Sequence, residues 1–258
     1  MIRFDHVWKR YPNGREALTD LSLEIARGEM AFLTGHSGAG KSTILKLIAL
    51  IERPTRGTLV VNGQNTNQVT RSKIPAFRRQ IGVVFQDHKL LMDRPVYDNV
   101  ALPLVIAGVP EKEIGKRVRA SLDQVGLLGR EQNRPIELST GEQQRVGIAR
   151  AIIGKPALLI ADEPTGNLDP DLAVEIMNIF KRFNEVGVTV LIASHDVHLI
   201  ERYGVRRVML AQGRAVDGGE APVVPVASVS PMAPDSPPSD ITATPPDAPL
   251  VLPGIRAD

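Results

Sequence analysis

Gly35, His36, Ser37, Gly38, Ala39, Gly40, Lys41 and Ser42 follow one another between an apolar segment, residues 29–34, and a segment with helical spacing, residues 41–51. Few short runs restrict a fold so strongly. Gly35 and Gly40 frame a loop whose backbone must curl until successive N–H groups point inward, and residues lacking a Cβ reach such conformations at least cost. A strand entering that loop and a helix leaving it place the inward N–H groups at a helix N-terminus, where anions bind. Lys41 adds a full positive charge for terminal phosphates. The hydroxyl of Ser42, with Thr43 next to it, suits a phosphate-bound Mg²⁺. The run therefore predicts a P-loop NTPase domain of the α/β class, binding a nucleoside triphosphate with Mg²⁺.

The rest of the chain is consistent with that class. Strand-like and helix-like patterns alternate, the mark of a mostly parallel sheet covered on both faces. Residues 2–11 and 21–25 flank a Pro12-Asn13-Gly14 turn, and residues 58–61 precede Asn62-Gly63, which predicts an antiparallel β subdomain near the N-terminus. Residues 81–85 read as a strand ending at Gln86. Helical periodicity is expected from about 87 to 153, broken by Pro95, Pro103, Pro110 and Pro135, as a helical subdomain. Strands at 157–162 and 188–194 follow, with a helix over about 172–186 between them, and residues 207–216 close as a hairpin around Gln212-Gly213.

Composition removes several classes. With no cysteine there are no disulfides, thiolate metal sites or thiol nucleophiles. The opening residues hold no apolar run resembling a secretory leader. A net charge of +2 is too small to argue for nucleic acid as a partner. That charge is unevenly spread. Residues 221–258 hold four aspartates against Arg256 alone, a net of −3, which leaves +5 on residues 1–220. Ten of the 20 prolines and no aromatic residue also fall there, so this tail is expected to be disordered or polyproline-like, with the folded domain ending near residue 220.

Two further constellations carry chemistry. Residues 157–161 form an apolar strand ending in Asp162 and Glu163. In a parallel sheet ligands gather at the carboxyl ends of strands. Asp162 is thus placed to hold Mg²⁺ beside Ser42, and Glu163 to act as general base on an attacking water. Glu137, Leu138, Ser139, Thr140, Gly141, Glu142, Gln143, Gln144 and Arg145 include a Ser139–Glu142 capping box, but capping explains neither Gly141 nor the polar run after it.

That second stretch resembles the signature motif of ABC ATPases, and the companion motifs appear in order over about residues 1–220. The resemblance implies an ABC nucleotide-binding domain in which Ser139 and Gly141 of one copy cap the γ-phosphate on the P-loop of another. It implies that Tyr11 stacks on adenine, and that Gln86 meets Mg²⁺ and the attacking water. It implies further that Asp169, in the run Gly166-Asn167-Leu168-Asp169, lies in the loop crossing the dimer interface, and that His195 contacts the γ-phosphate. Thr140 stands where the family usually has a second glycine. The run 161–169 together with 141–145 is similar to a narrower branch containing lipoprotein-release, macrolide-efflux and cell-division ATPases, and the segments 85–94 and 96–104 look most like its cell-division members. The branch implies an ATP-hydrolysing homodimer, peripheral on the cytoplasmic face of the bacterial inner membrane, with an integral membrane permease and division-ring proteins as partners. Leu90, Leu91, Met92 and Tyr97 are then candidates for a patch receiving the membrane subunit.

Overall fold

The computed structural model describes residues 1–216; the proline-rich tail expected at 221–258 lies outside the described residues. The chain runs β1 (Ile2–Arg10), β2 (Glu16–Ile25), β3 (Met30–Thr34), α1 (Lys41–Ile48), β4 (Arg56–Val61), β5 (Gln64–Asn65), α2 (Ile74–Arg78), β6 (Ile81–Val84), α3 (Val96–Ile106), α4 (Glu111–Gln124), α5 (Thr140–Ile152), β7 (Leu158–Asp162), α6 (Pro170–Glu185), β8 (Thr189–Ala193), α7 (Val197–Tyr203), β9 (Arg206–Ala211) and β10 (Arg214–Ala215).

Strands β10-β9-β3-β8-β7-β6 form one sheet in that order, parallel throughout except for the β9–β10 hairpin. Strands β2-β1-β4-β5 form a second, antiparallel sheet. This is the P-loop NTPase arrangement with its antiparallel β portion. Alternation along the central strands divides two cores. Phe32, Leu159, Val190 and Ile192 face helices α3 to α7, with Phe180 and Met177 of α6 fully buried against them. Leu33, Leu158, Ile160 and Leu191 face α1 and the antiparallel sheet, meeting Phe4, Leu18, Leu47 and Ile48. Each such side chain contributes about 1.5–3 kcal/mol on burial. Strands buried on both faces read as unbroken apolar runs, as those at 157–161 and 190–193 do.

The parallel register decides where chemistry can sit. Leu33 pairs with Ala193, Ala193 with Asp162, and Ala161 with Val84, so β3, β8, β7 and β6 all end at one edge. The loops leaving that edge carry the P-loop, His195, Glu163 and Gln86.

Two expectations are corrected. Helical structure does not start near residue 87: residues 85–95 form a looped segment, and the first helix after it, α3, begins at Val96. Pro103 does not break that helix, which continues to Ile106. A proline interior to a helix forfeits one backbone hydrogen bond and clashes with the preceding turn, at about 3 kcal/mol. Burial of Val100, Ala101 and Leu104 around it offsets that cost. Pro95 and Pro110, by contrast, are the N-caps of α3 and α4, and Pro135 opens a single 3₁₀ turn, as breakers should.

Candidate active site

The P-loop is held in its curl by its neighbours. Gly35 has φ 140° and Gly40 φ 113°, both in the left-handed half of conformational space. A Cβ on Gly35 would fall 2.4 Å from the carbonyl oxygen of Leu210, and one on Gly40 2.8 Å from that of Ala17. Only glycine fits either position. Gly40 is also the N-cap of α1 and offers no side chain to satisfy its free N–H groups, which leaves them for an anion.

A cavity of about 970 Å³ opens over this loop. Tyr11, residues 36–43, Gln86, Asp162, Glu163 and His195 all line it. Buried Lys41 donates to the Gly35 carbonyl at 2.6 Å, with its Nζ 3.7 Å from Glu163 Oε1. The other carboxylate oxygen of Glu163, Oε2, pairs with His195 Nδ1 at 2.9 Å. Glu163 is thus fixed from both sides. Its backbone is also unusual for a glutamate, with φ 47°. Its N–H donates to Ala193 O and its carbonyl accepts from Gly166 N, which hold that conformation in place.

Ser42 Oγ donates to Asp162 Oδ1 at 3.2 Å. Burial pushes the Asp162 carboxyl above the usual carboxylate range, the Ser42 hydrogen bond pulls it back down, and the nearby Glu163 charge raises it again. A desolvated carboxylate beside a hydroxyl, with the Gln86 amide on the same cavity wall, is a set of hard oxygen donors. That set suits a small divalent ion that takes its remaining ligands from phosphate and water. Tyr11 approaches Thr43 through its hydroxyl at 3.4 Å, and buried Lys9 lies over its ring with Nζ 5.0 Å from the centroid.

Three predicted residues lie elsewhere in the same chain. Ser139 caps α5, accepting from Glu142 N while Glu142 bonds back to Ser139 N and Oγ, so the capping box is complete. Gly141, in the first turn, has a packing reason of its own: a Cβ there would sit 3.1 Å from Leu172 Cδ1. Asp169 is the N-cap of α6, accepting from Asp171 N and Leu172 N at 3.1 and 3.0 Å. Asp169→Ala is therefore expected to destabilise the nucleotide-free protein by about 1 kcal/mol, read as a lower urea midpoint with unchanged slope.

The cavity also includes cations that motif reading missed. Arg15, held in the Tyr11 turn by Asn13, has Nη2 3.6 Å from where a Cβ of Gly38 would lie. Lys46 lines the same wall one helical turn after Ser42 and lowers the Asp162 carboxyl electrostatically. The i, i+4 spacing from Ser42 was the signal for Lys46. Arg15 carried none.

A triphosphate cradle, a lysine, paired acids and a histidine at one sheet edge can bind a nucleotide and polarise water. The ABC transporter family model matches residues 18–166, more than half of the chain. This chain belongs to the ABC transporter family of ATP-binding cassettes. It is an ATPase of the ABC type and binds ATP. The cassette is 57% identical over 218 residues to the cell division ATP-binding protein FtsE of Escherichia coli (strain K12), covering 84% of this chain and 98% of that protein. It is 46% identical to the FtsE of Mycobacterium tuberculosis (strain H37Rv), over 84% and 94% of the two chains. Among solved structures it resembles a dimeric ATP-binding cassette in a post-hydrolysis state with ADP and Pi. There the identity is 34% and the TM-score 0.77, over 84% of this chain and 97% of that one.

Proposed function

We propose that this cassette is the ATP-hydrolysing subunit of a membrane-bound cell-division complex. Two copies would close head to tail on two Mg-ATP molecules, Ser139 and Gly141 of each facing the other's P-loop and Asp169 lying at the shared interface. The P-loop N–H groups, His36 to Ala39 among them, and Lys41 bind the phosphates, and Tyr11 stacks on adenine. Ser42, Asp162 and Gln86 would hold Mg²⁺, which when bound neutralises charge on the β- and γ-phosphates. Glu163 accepts a proton from the attacking water, oriented by Gln86 and by His195. Hydrolysis removes the bridging γ-phosphate and reopens the pair. Catalysis of this kind is mostly placement of charge.

Coupling to a membrane partner is supported by one observation above others. Five and six residues after Gln86, Leu91 and Met92 are 40% and 48% exposed, beside an open groove of about 610 Å³ lined by Leu91, Tyr97, Leu102, Val105 and Ile114. Leu90 and Tyr97 pack partly against the core, so the exposed apolar members are Leu91 and Met92, extended by Val105. An apolar groove with Arg94, Asp98 and Glu111 on its rim fits a short amphipathic segment of an integral membrane subunit. Among the described residues no helix is long and apolar enough to cross a membrane, so attachment at the cytoplasmic face of the inner membrane would come through that partner. The names of the relatives favour an FtsX-like permease, with division-ring proteins further out, over a lipoprotein-release or macrolide-efflux system. Met92→Asp is expected to weaken membrane association while leaving hydrolysis by the purified chain intact. Fractionation of cells carrying the variant, paired with cell length, tests this; unchanged association and normal division would count against the assignment.

A further inference from the structure

The loop that carries Gln86 contains two consecutive residues, His88 and Lys89, with φ 56° and 50°. Neither is glycine, and left-handed non-glycine residues persist where surrounding contacts fix them. Local bonds hold part of the turn, His88 N donating to Phe85 O, Lys89 N to Asp87 O, and the Lys89 side chain pairing with Asp87. The long-range contact is one side chain. Arg150, near the end of α5, donates from Nη2 to the His88 carbonyl at 2.5 Å and from Nη1 to the Lys89 carbonyl at 2.7 Å. One planar guanidinium therefore sets both carbonyl directions at once, which a point charge cannot do. Gly147, one turn earlier on α5, lies beside the same loop, with the His88 carbonyl oxygen 4.0 Å from where its Cβ would be, an ordinary contact distance.

The far end of the same loop is fixed separately. Buried Asn99 of α3 accepts from Leu91 N at 2.7 Å and donates to the carbonyls of Leu91, Arg94 and Pro95. Residues 91–95 are tied to α3, and residues 88–89 to α5. Gln86 lies two residues before the Arg150 clamp, on the cavity side, and β6 has already ended at Val84.

We propose that Arg150 is the positioning residue for Gln86, transmitting the placement of α5, whose N-terminus carries Ser139 and Gly141, to the amide facing the reacting phosphate. This rests on the role given to Gln86 above. Movement of α5 then displaces the two carbonyls and Gln86 with them, while Lys41 and the P-loop, on a different helix, are untouched. The signature is a loss in kcat with nucleotide affinity preserved.

The test uses the full chain with Mg-ATP, measuring kcat and KM alongside ATP affinity in Arg150→Gln, Arg150→Lys, Gln86→Ala and the Gln86→Ala/Arg150→Gln pair. Arg150→Gln is expected to lower kcat about 10- to 100-fold, the scale of a misplacement near 1 Å, with affinity within about twofold. Arg150→Lys, able to reach one carbonyl, should fall between, and it decides the matter if the glutamine variant does not fold. In the Gln86→Ala background the second substitution should change kcat less than about twofold, because both act through one group. Losses that multiply in the double variant, or an affinity loss matching the kcat loss, would overturn the positioning role while leaving Gln86 in place. A Gln86→Ala protein with wild-type kcat would overturn the role of Gln86 and this inference together.

Discussion

Glu163→Gln is expected to bind Mg-ATP, hold two copies together and hydrolyse about 10²- to 10⁴-fold more slowly than the native protein, or about 3–5 kcal/mol in barrier. The substitution keeps the shape of the side chain and removes its charge and basicity. What Glu163 touches explains the size of the effect. One of its oxygens faces Lys41 and the other His195, and its left-handed backbone is held by Ala193 and Gly166. Few carboxylates are so fixed before substrate arrives, and a fixed base loses no reaction free energy to reorientation. Phosphate contacts from the P-loop are untouched, so binding should survive. Size-exclusion chromatography with Mg-ATP should show a persistent dimer where the native protein cycles back to monomer. Turnover within a few-fold of native would move the base elsewhere. His195 is the natural rival, yet its side chain is 69% exposed and its recorded partner is Glu163 itself. His195→Ala alone should therefore cost less than Glu163→Gln; a loss as large as that of Glu163→Gln would make histidine the base.

The P-loop, the acids after β7 and the strand-helix alternation were legible in the sequence for a shared reason: each is enforced locally. Gly35 and Gly40 are required by carbonyls 2.4 and 2.8 Å from a would-be Cβ, and the buried strands announce themselves as unbroken apolar runs. Sequence reading failed where tertiary contacts override local preference. Residues 87–95 have helical composition, but Arg150 and Asn99 take their backbone carbonyls and hold them as a loop. Pro103 reads as a stop, and the burial of Val100, Ala101 and Leu104 carries α3 through it. Short α7, with seven residues, and α2, with five, carry too few periods to be seen. Arg15 enters the cavity because the turn between β1 and β2 lies against the P-loop at Gly38, and no motif marks that approach. Gly141 was read as a phosphate contact alone, whereas it also packs closely against Leu172, whose side chain would have to shift to admit a Cβ.

Lys41→Met should separate binding from chemistry in the opposite sense to Glu163→Gln. The side chain is buried, and its ammonium lies between the Gly35 carbonyl and the Glu163 carboxylate at the floor of the cavity. When phosphates occupy the cradle, that ammonium is the one full charge the P-loop itself supplies. Truncating one partner of a desolvated, hydrogen-bonded charge pair costs about 2–5 kcal/mol, which is roughly 30- to 5,000-fold in Kd. Methionine keeps the length and the packing of the stem, so the effect isolates the charge. Thermal unfolding gives a reading that does not depend on turnover. At ATP near 100 times its Kd the native protein should gain about 2.7 kcal/mol from ligand binding. At the same ATP concentration the variant should gain little, each protein's shift being read from its own nucleotide-free unfolding temperature, because losing the contacts to Gly35 and Glu163 lowers that baseline too. Should Lys41→Met keep the full ATP-induced shift, the phosphates would not be resting where the left-handed glycines and the N-terminus of α1 point, and the placement of every other group around them would have to be redrawn.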